Sequence, residues 1–315
     1  MTTQRGLDYA RRLYEEYGRE LIATELADLE PVIATGLVGE GSECFGFDDD
    51  ISQDHDWGPA FCLWLPEALL AEHGERIERA LSRLPAQLDG HAVRMAPEER
   101  IGRVGPLSIE GFYRRFLNVP GCPETLAQWR AIPETYLAVA TNGEVFCDPA
   151  GTFSAIRAGL LEFYPEDLRI KKLAARCVAA SQAGQYNLPR MLTRYAYTSA
   201  SICRARFTEA IISMVFLLHR KYMPFYKWAD KAMARLSPLG AGIAASLEQL
   251  NCLSPVENSR EQFSDIVEDI CLRMVDCLIE QGLATIRDPW LYEQGPQVQS
   301  RIASEALRRM PVQFE

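Results

Sequence analysis

The 315-residue sequence contains no stretch of about 18 uninterrupted apolar residues, the minimum for a membrane-spanning helix, so no membrane partner is expected. Its first residues, MTTQRGLDYARRLYEEYGREL, carry charge throughout and lack the unbroken apolar centre of a secretion signal. This reads as a cytoplasmic protein. Its nine cysteines (44, 62, 122, 147, 177, 203, 252, 271 and 277) are an odd number and none is in Cys-x-x-Cys spacing. They indicate neither a disulfide framework nor a zinc module, and read as reduced, mostly buried small apolar residues. Positive charge is also in short supply, with 33 Lys and Arg against 43 Asp and Glu, for a formal charge of −10. Nonspecific nucleic-acid binding rests on neutralising phosphates with Lys and Arg, so a nucleic-acid partner is disfavoured, although a local basic groove stays compatible with this balance. Internal repeats and low-complexity tracts are lacking too.

What is present is 48% apolar and 10% aromatic, enough to bury a full core, and the length suits two domains. Residues 5–28 place Leu7, Ala10, Leu13, Tyr17, Leu21 and Leu26 at roughly helical spacing between charges, which predicts an amphipathic N-terminal helix. IATGLVG (33–39) predicts a buried strand running into a loop, and WGPAFCLWL (57–65) a second strand, followed by a helix that Pro66 can start. HAVRM (91–95) and VGPLSI (104–109) are further strand candidates, and EVFCDP after Asn142-Gly143 resembles the far arm of a turn. Beyond about residue 155 long helical periods take over. Pro165-Glu166-Asp167 suits a helix start, and Phe207, Ile211, Met214, Val215 and Leu218 form an apolar stripe. Asn258 with Glu261 can make a capping box, and Gly282 can end that helix. The expected class is α+β: a small mixed sheet flanked by helices over 1–155, then a helical bundle over 156–315.

The chemistry concentrates in GEGSECFGFDDDISQDHDW (39–57). Asp54 and Asp56 are one residue apart, so on an extended strand their side chains share a face, roughly 6 to 7 Å apart. Two like charges there repel, and a divalent cation relieves the conflict; hard oxygen ligands suit Mg²⁺ shared with substrate phosphates. Gly41-Ser42 can supply the other half, with close backbone approach, N–H groups and a hydroxyl to hold phosphate oxygens. The eleven residues between Ser42 and Asp54 are enough for a helical turn and a loop between neighbouring strands.

Gly41-Ser42, Gly46, Ser52 and Asp54-His55-Asp56 resemble the signature of the polymerase-beta-type nucleotidyltransferases, a Gly-Ser pair followed on the next strand by Asp-x-Asp. In detail the chain is similar to an uncharacterised bacterial nucleotidyltransferase-like family, a likeness continuing through NGEVFCDP and HRKYMPFYKW to about residue 235, while the superfamily signature covers only 37–57. The resemblance implies transfer of a nucleoside monophosphate from a nucleoside triphosphate, with ATP the expected donor, to a hydroxyl acceptor. It also implies two Mg²⁺ ions and release of pyrophosphate. Asp54 and Asp56 would be the shared ligands. A third carboxylate comes from a later strand in this superfamily, and Glu110 in PLSIEGF is the candidate. In-line displacement at phosphorus needs the charge on attacking and leaving oxygens neutralised, which two metals provide. A helical second domain closes the cleft in the antibiotic-type members, which makes Lys221 and Lys227 of HRKYMPFYKW candidate phosphate contacts. A small-molecule acceptor is expected; a protein or tRNA acceptor, or a non-catalytic nucleotide-binding scaffold, are the alternatives.

Each candidate also has a plainer reading. Ser108 before IEGFYRRFL can be a helix N-cap, with Glu110 favouring the helix dipole. Gly58-Pro59 interrupts the strand expected after Asp56, since proline cannot donate to a sheet. Asp48, Asp49 and Asp50 read as a solvated turn, too close to Ser42 for a strand crossing. His55 would point away from its neighbours on a strand. Lys221 and Lys227 could sit on a solvated helix end. Arg169, Lys171, Lys172 and Arg176 read as the wet face of an amphipathic helix, as do Arg114 and Arg115, and Asp148 reads as a turn residue capping the segment after it.

Overall fold

The computed structural model describes residues 5–54, 57–100, 102–236, 238–254 and 259–315, with Asp54 described in its backbone alone. The chain divides into two compact units, residues 1–162 and 163–315, so the boundary falls after Glu162 rather than after residue 155.

The first unit opens with a continuous helical run: α1 (Gly6–Leu13), a π-helical turn (Tyr14–Gly18) and α2 (Arg19–Glu25). The expected apolar stripe departs at Tyr17, which is 42% exposed, while Tyr14 is buried. The wide π turn rotates the following residues, and Tyr14 packs on Phe61 and Phe146 with ring centroids 5.8 and 5.7 Å away. Next come β1 (Ala34–Leu37), α3 (Ser42–Phe45), a 3-10 helix (Asp50–Asp54), β2 (Cys62–Leu65) and α4 (Glu67–Leu81). Then follow β3 (Gln87–Leu88), β4 (His91–Ala92), α5 (Pro97–Arg100), β5 (Gly105–Ser108) and α6 (Ile109–Leu117). The unit closes with α7 (Leu126–Ala131), α8 (Glu134–Thr141), β6 (Glu144–Cys147) and α9 (Thr152–Leu161).

The main sheet is mixed, in the order β5-β2-β1-β6, with β2 parallel to β5 and β1 antiparallel to both β2 and β6. Its four residues of β2 are fully buried, as expected for a central strand covered on both faces. Trp64 stacks on Phe153 of α9 at 4.0 Å and meets Phe112 of α6 edge-on at 5.6 Å. The stretch 91–95 does not join this sheet; β4 pairs with β3 in a separate two-stranded ribbon. Asn142-Gly143 joins α8 to β6, and β6 pairs with β1, so the turn there is a helix-to-strand junction rather than a hairpin.

The second unit is helical: α10 (Glu166–Ala180), a π-helical segment (Ser181–Asn187), α11 (Leu188–Thr193), α12 (Tyr197–Leu218), α13 (Tyr226–Ala234), α14 (Leu239–Cys252), α15 (Arg260–Glu280), α16 (Leu291–Gln299) and α17 (Glu305–Arg308). Phe207, Ile211, Met214, Val215 and Leu218 are all buried. Gly282 takes the left-handed conformation (φ +71°) that ends α15, and Asn258 lies outside the described residues.

One sequence expectation is reversed. Arg169, Lys171 and Lys172 are buried, at 2%, 0% and 6% exposure, rather than wetting a helix face. Each finds polar partners, as buried cations must. Arg169 reaches Glu166 at 2.7 Å and the Leu217 carbonyl at 3.3 Å, Lys171 donates to Gln299 Oε1 and the Pro311 carbonyl, and Lys172 lies 3.7 Å from Glu315. Alternation of charge with alanine looks the same in sequence whether the charges meet water or internal carbonyls.

Candidate functional site

The Gly-Ser loop leaves the end of β1 and enters α3, with Gly41 as the N-cap residue and Ser42 the first helical residue. The loop is held from below. Asn142 grips buried Gly39 in both directions, accepting from its N–H at 3.0 Å and donating to its carbonyl at 2.6 Å. Gly143 N–H donates to the Cys44 carbonyl at 2.8 Å, and a β-carbon at Gly143 would fall 1.9 Å from the Leu37 carbonyl oxygen. Arg157 of α9 donates to the carbonyls of Thr141, Asn142 and Gly143 at 2.7, 3.1 and 3.3 Å, and Asp148 accepts from the Ser154 N–H at 2.8 Å to fix the start of α9. Asp148 is thus the capping residue expected of it.

Carboxylates gather around this loop. A β-carbon at Gly41 would lie 2.2 Å from Glu43 Oε1, so only glycine there lets the Glu43 carboxylate lie against the backbone. Burial pushes the Glu43 carboxyl above its usual range; the charge of Asp48 adds to the shift, and Arg94 and Arg103 oppose it. Asp48 is no solvated turn residue. Its Oδ2 accepts from the Gly6 N–H at 2.6 Å and from Trp57 Nε1 at 3.2 Å, tying the start of α1 to the acidic segment. Its Oδ1 is buried and accepts no hydrogen bond among the described residues. Asp49 caps the 3-10 helix, accepting from the N–H groups of Ile51 and Ser52 at 3.1 Å each. Glu40, beside Gly41, pairs with Arg115 of α6, which also donates to the Gly102 carbonyl at 2.8 Å.

The other predicted site residues are placed as follows. Asp54 ends the 3-10 helix instead of lying on a strand, and β2 begins only at Cys62. Gly58, at φ +147° with the Arg94 side chain against it, and Pro59 keep the intervening chain out of the sheet. His55 and Asp56 lie outside the described residues. Glu110 is off its strand as well: Ser108 caps α6 by accepting from the Gly111 N–H at 3.0 Å, and the Glu110 carboxylate accepts from the Glu67 N–H at 2.9 Å, capping α4. Helix α6 reaches the loop through Arg115 instead. In the second unit, Lys221 is exposed just beyond α12, and Lys227 sets its ammonium 4.2 Å over the Trp228 ring.

Among the described residues, no group of three or more His, Cys, Asp or Glu side chains is placed to hold a metal ion, and no helix is long and apolar enough to cross a membrane. Sequence reasoning did not single out Glu43, Arg94 or Arg103, and it read Asp48 as solvated and Asn142 as a turn residue alone. For Asn142 the Asn-Gly dipeptide was a signal, read as a turn only; for Glu43 and Asp48 the signal was their nearness to Gly41-Ser42.

A family model described as a domain of unknown function (DUF4037) matches residues 129–229. No curated protein matches the chain. No solved structure matches it. The family match takes in Asn142, Gly143 and Arg157, which brace the loop, together with Asp148 and HRKYMPFYKW, but does not include Gly41-Ser42.

Proposed function

We propose that residues 1–162 carry a Mg²⁺-dependent nucleotidyltransferase site that moves a nucleoside monophosphate, with ATP the expected donor, onto a hydroxyl of a small molecule. The observation that carries this reading is the Gly39–Ser42 loop at the end of β1, braced by Asn142 and edged by Glu43 and Asp48. A buried carboxylate oxygen without a hydrogen bond, Asp48 Oδ1, is costly unless something else satisfies it, and a hard cation is a suitable partner for such a donor. On that support Mg²⁺ is the proposed cation, with Asp48 and the signature's Asp54 and Asp56 as its proposed ligands. Bound there, the metal would neutralise phosphate charge as pyrophosphate leaves.

The chain's own groups supply the rest. Gly41 and Ser42 hold phosphate oxygens through backbone N–H groups and the hydroxyl. Arg94 and Arg103 offset negative charge near Glu43. Glu43, whose carboxylate lies against the Gly41 backbone, is the proposed acceptor of the hydroxyl's proton in place of Glu110, whose carboxylate is engaged by the Glu67 N–H at 2.9 Å.

The test is turnover. The protein is incubated with each nucleoside triphosphate labelled at the α-phosphate, Mg²⁺ and a pool of small hydroxylated metabolites, with tRNA and protein extracts in parallel. Label transfer with pyrophosphate release, lost in Asp54→Ala and Asp56→Ala, is the expected result. Transfer to tRNA or protein alone would reassign the acceptor, and no transfer to any pool alongside nucleotide binding indifferent to both substitutions would favour a scaffold.

A further inference from the structure

From Leu168 to Thr208 the chain has no Asp or Glu, yet it has eight Lys and Arg, in a protein whose formal charge is −10. Four of the eight, Arg169, Lys171, Lys172 and Arg176, are tied to internal partners, and Arg204 donates to the Leu253 carbonyl at 3.0 Å. The other three are different. Arg190, Arg194 and Arg206 are exposed, and none has a carboxylate within ion-pair distance among the described residues.

Aromatic rings accompany them. Tyr186, Tyr195 and Tyr197 are 49%, 60% and 40% exposed. The Arg190 guanidinium lies 4.2 Å over the Tyr186 ring, and Tyr195 and Tyr197 stand 6.4 Å apart. Beside Tyr186, a groove of about 500 Å³ opens between the π-helical segment and α12. Gln182, Asn187, Arg206 and Glu209 edge it, and Ala179, Ala183 and Ala210 line it. The extra residue of a π-helical turn and the close approach at Gly184, where a β-carbon would fall 2.3 Å from Phe207 Cδ2, shape this wall.

We infer that this face of the second unit binds a single-stranded nucleic acid. Its three guanidinium groups without carboxylate partners complement phosphates, its exposed phenol rings offer stacking platforms, and an alanine-lined groove edged by two amides, Arg206 and Glu209 has room for a flat base. An acidic peptide would match the charge but would leave the rings without flat partners. This inference does not rest on the nucleotidyltransferase reading of residues 1–162.

The test is fluorescence anisotropy of the full chain with a labelled 15-nucleotide oligouridylate and the matching oligodeoxyuridylate. Heparin, a hexaglutamate peptide and phosphatidylserine vesicles serve as competitors. Saturable binding of either oligonucleotide is expected, and the tighter of the two identifies the sugar. Three phosphate contacts give a slope of about −2 in log affinity against log salt. The Arg190→Gln/Arg194→Gln/Arg206→Gln variant flattens that slope, and Tyr186→Leu and Tyr195→Leu each weaken oligonucleotide binding by about tenfold while heparin binding is unchanged. Thermal melts coincide with wild type, because all five side chains are exposed. Absence of saturable binding at low salt would overturn the inference. So would tyrosine variants that affect heparin equally, or tighter binding to the peptide or the vesicles.

Discussion

Replacing Asn142 with alanine removes both hydrogen bonds that hold Gly39 under the loop, at 3.0 and 2.6 Å, and leaves a buried backbone N–H and C=O without those partners. Each such bond contributes about 0.5–1.5 kcal/mol, and an unsatisfied buried group costs about 1–3 kcal/mol, so the expected loss is about 2–3 kcal/mol. Urea unfolding followed by tryptophan fluorescence reads it as a lower midpoint, with the slope unchanged, in the transition of residues 1–162. Asn142→Asp keeps the acceptor for Gly39 N–H, loses the donor and brings a charge toward the acidic loop. It should be at least as destabilised at neutral pH and recover in acid. A loss below about 0.5 kcal/mol in Asn142→Ala would show that the amide does not brace the loop, and the argument from loop rigidity would fail with it.

Glu43 gives a pH-dependent prediction. Its folded pKa is raised by burial, so the folded state holds this proton more tightly than the unfolded chain. Stability is therefore greatest below the unfolded value of about 4.3 and falls as pH rises through the folded value. Glu43→Gln, which cannot ionise, should melt higher than wild type at pH 7 to 8, with the difference closing as the pH is taken toward 4; a constant difference across that range would contradict the assignment. In the second unit, Gly184→Ala drives a methyl group into Phe207, which is fully buried, and should cost about 1–3 kcal/mol in thermal or urea unfolding. An unchanged midpoint would mean the π-helical segment and α12 are not packed as closely as described.

Much of the architecture could be read from apolar periodicity, because buried strands and amphipathic helices impose it on the sequence. The runs 33–39 and 57–65 became β1 and β2, and the stripe from Phe207 to Leu218 became the buried face of α12. Periodicity is blind to local register, which is why a π turn moved the buried tyrosine from Tyr17 to Tyr14. It is equally blind to the partner of a charge: Lys171 and Asp48 looked solvated because their partners, the Pro311 carbonyl that accepts from one and the Gly6 N–H that donates to the other, are 140 and 42 residues away in sequence. That the chain leaves β1 into a glycine-punctuated loop at 39–42 was legible, since glycine after a short buried apolar run marks the end of a strand. The supports of that loop were not, because Asn142 meets Gly39 across 103 residues and only the pairing of β6 with β1 brings them together. Glu110 was misplaced for a related reason: Ser-Ile-Glu can close a strand or open a helix, and the Glu67 N–H that donates to its carboxylate is not visible from PLSIEGF.

Isothermal titration with a non-hydrolysable ATP analogue, with and without Mg²⁺, tests the central claim most directly. Glu40, Glu43 and Asp48 crowd the loop with negative charge, so a metal-free triphosphate should be repelled and the magnesium complex accepted. Saturable binding that needs Mg²⁺ and weakens by at least about a hundredfold in Asp54→Ala and in Asp56→Ala is the result this account predicts. Equal binding in EDTA, or affinity untouched by both substitutions, would contradict it.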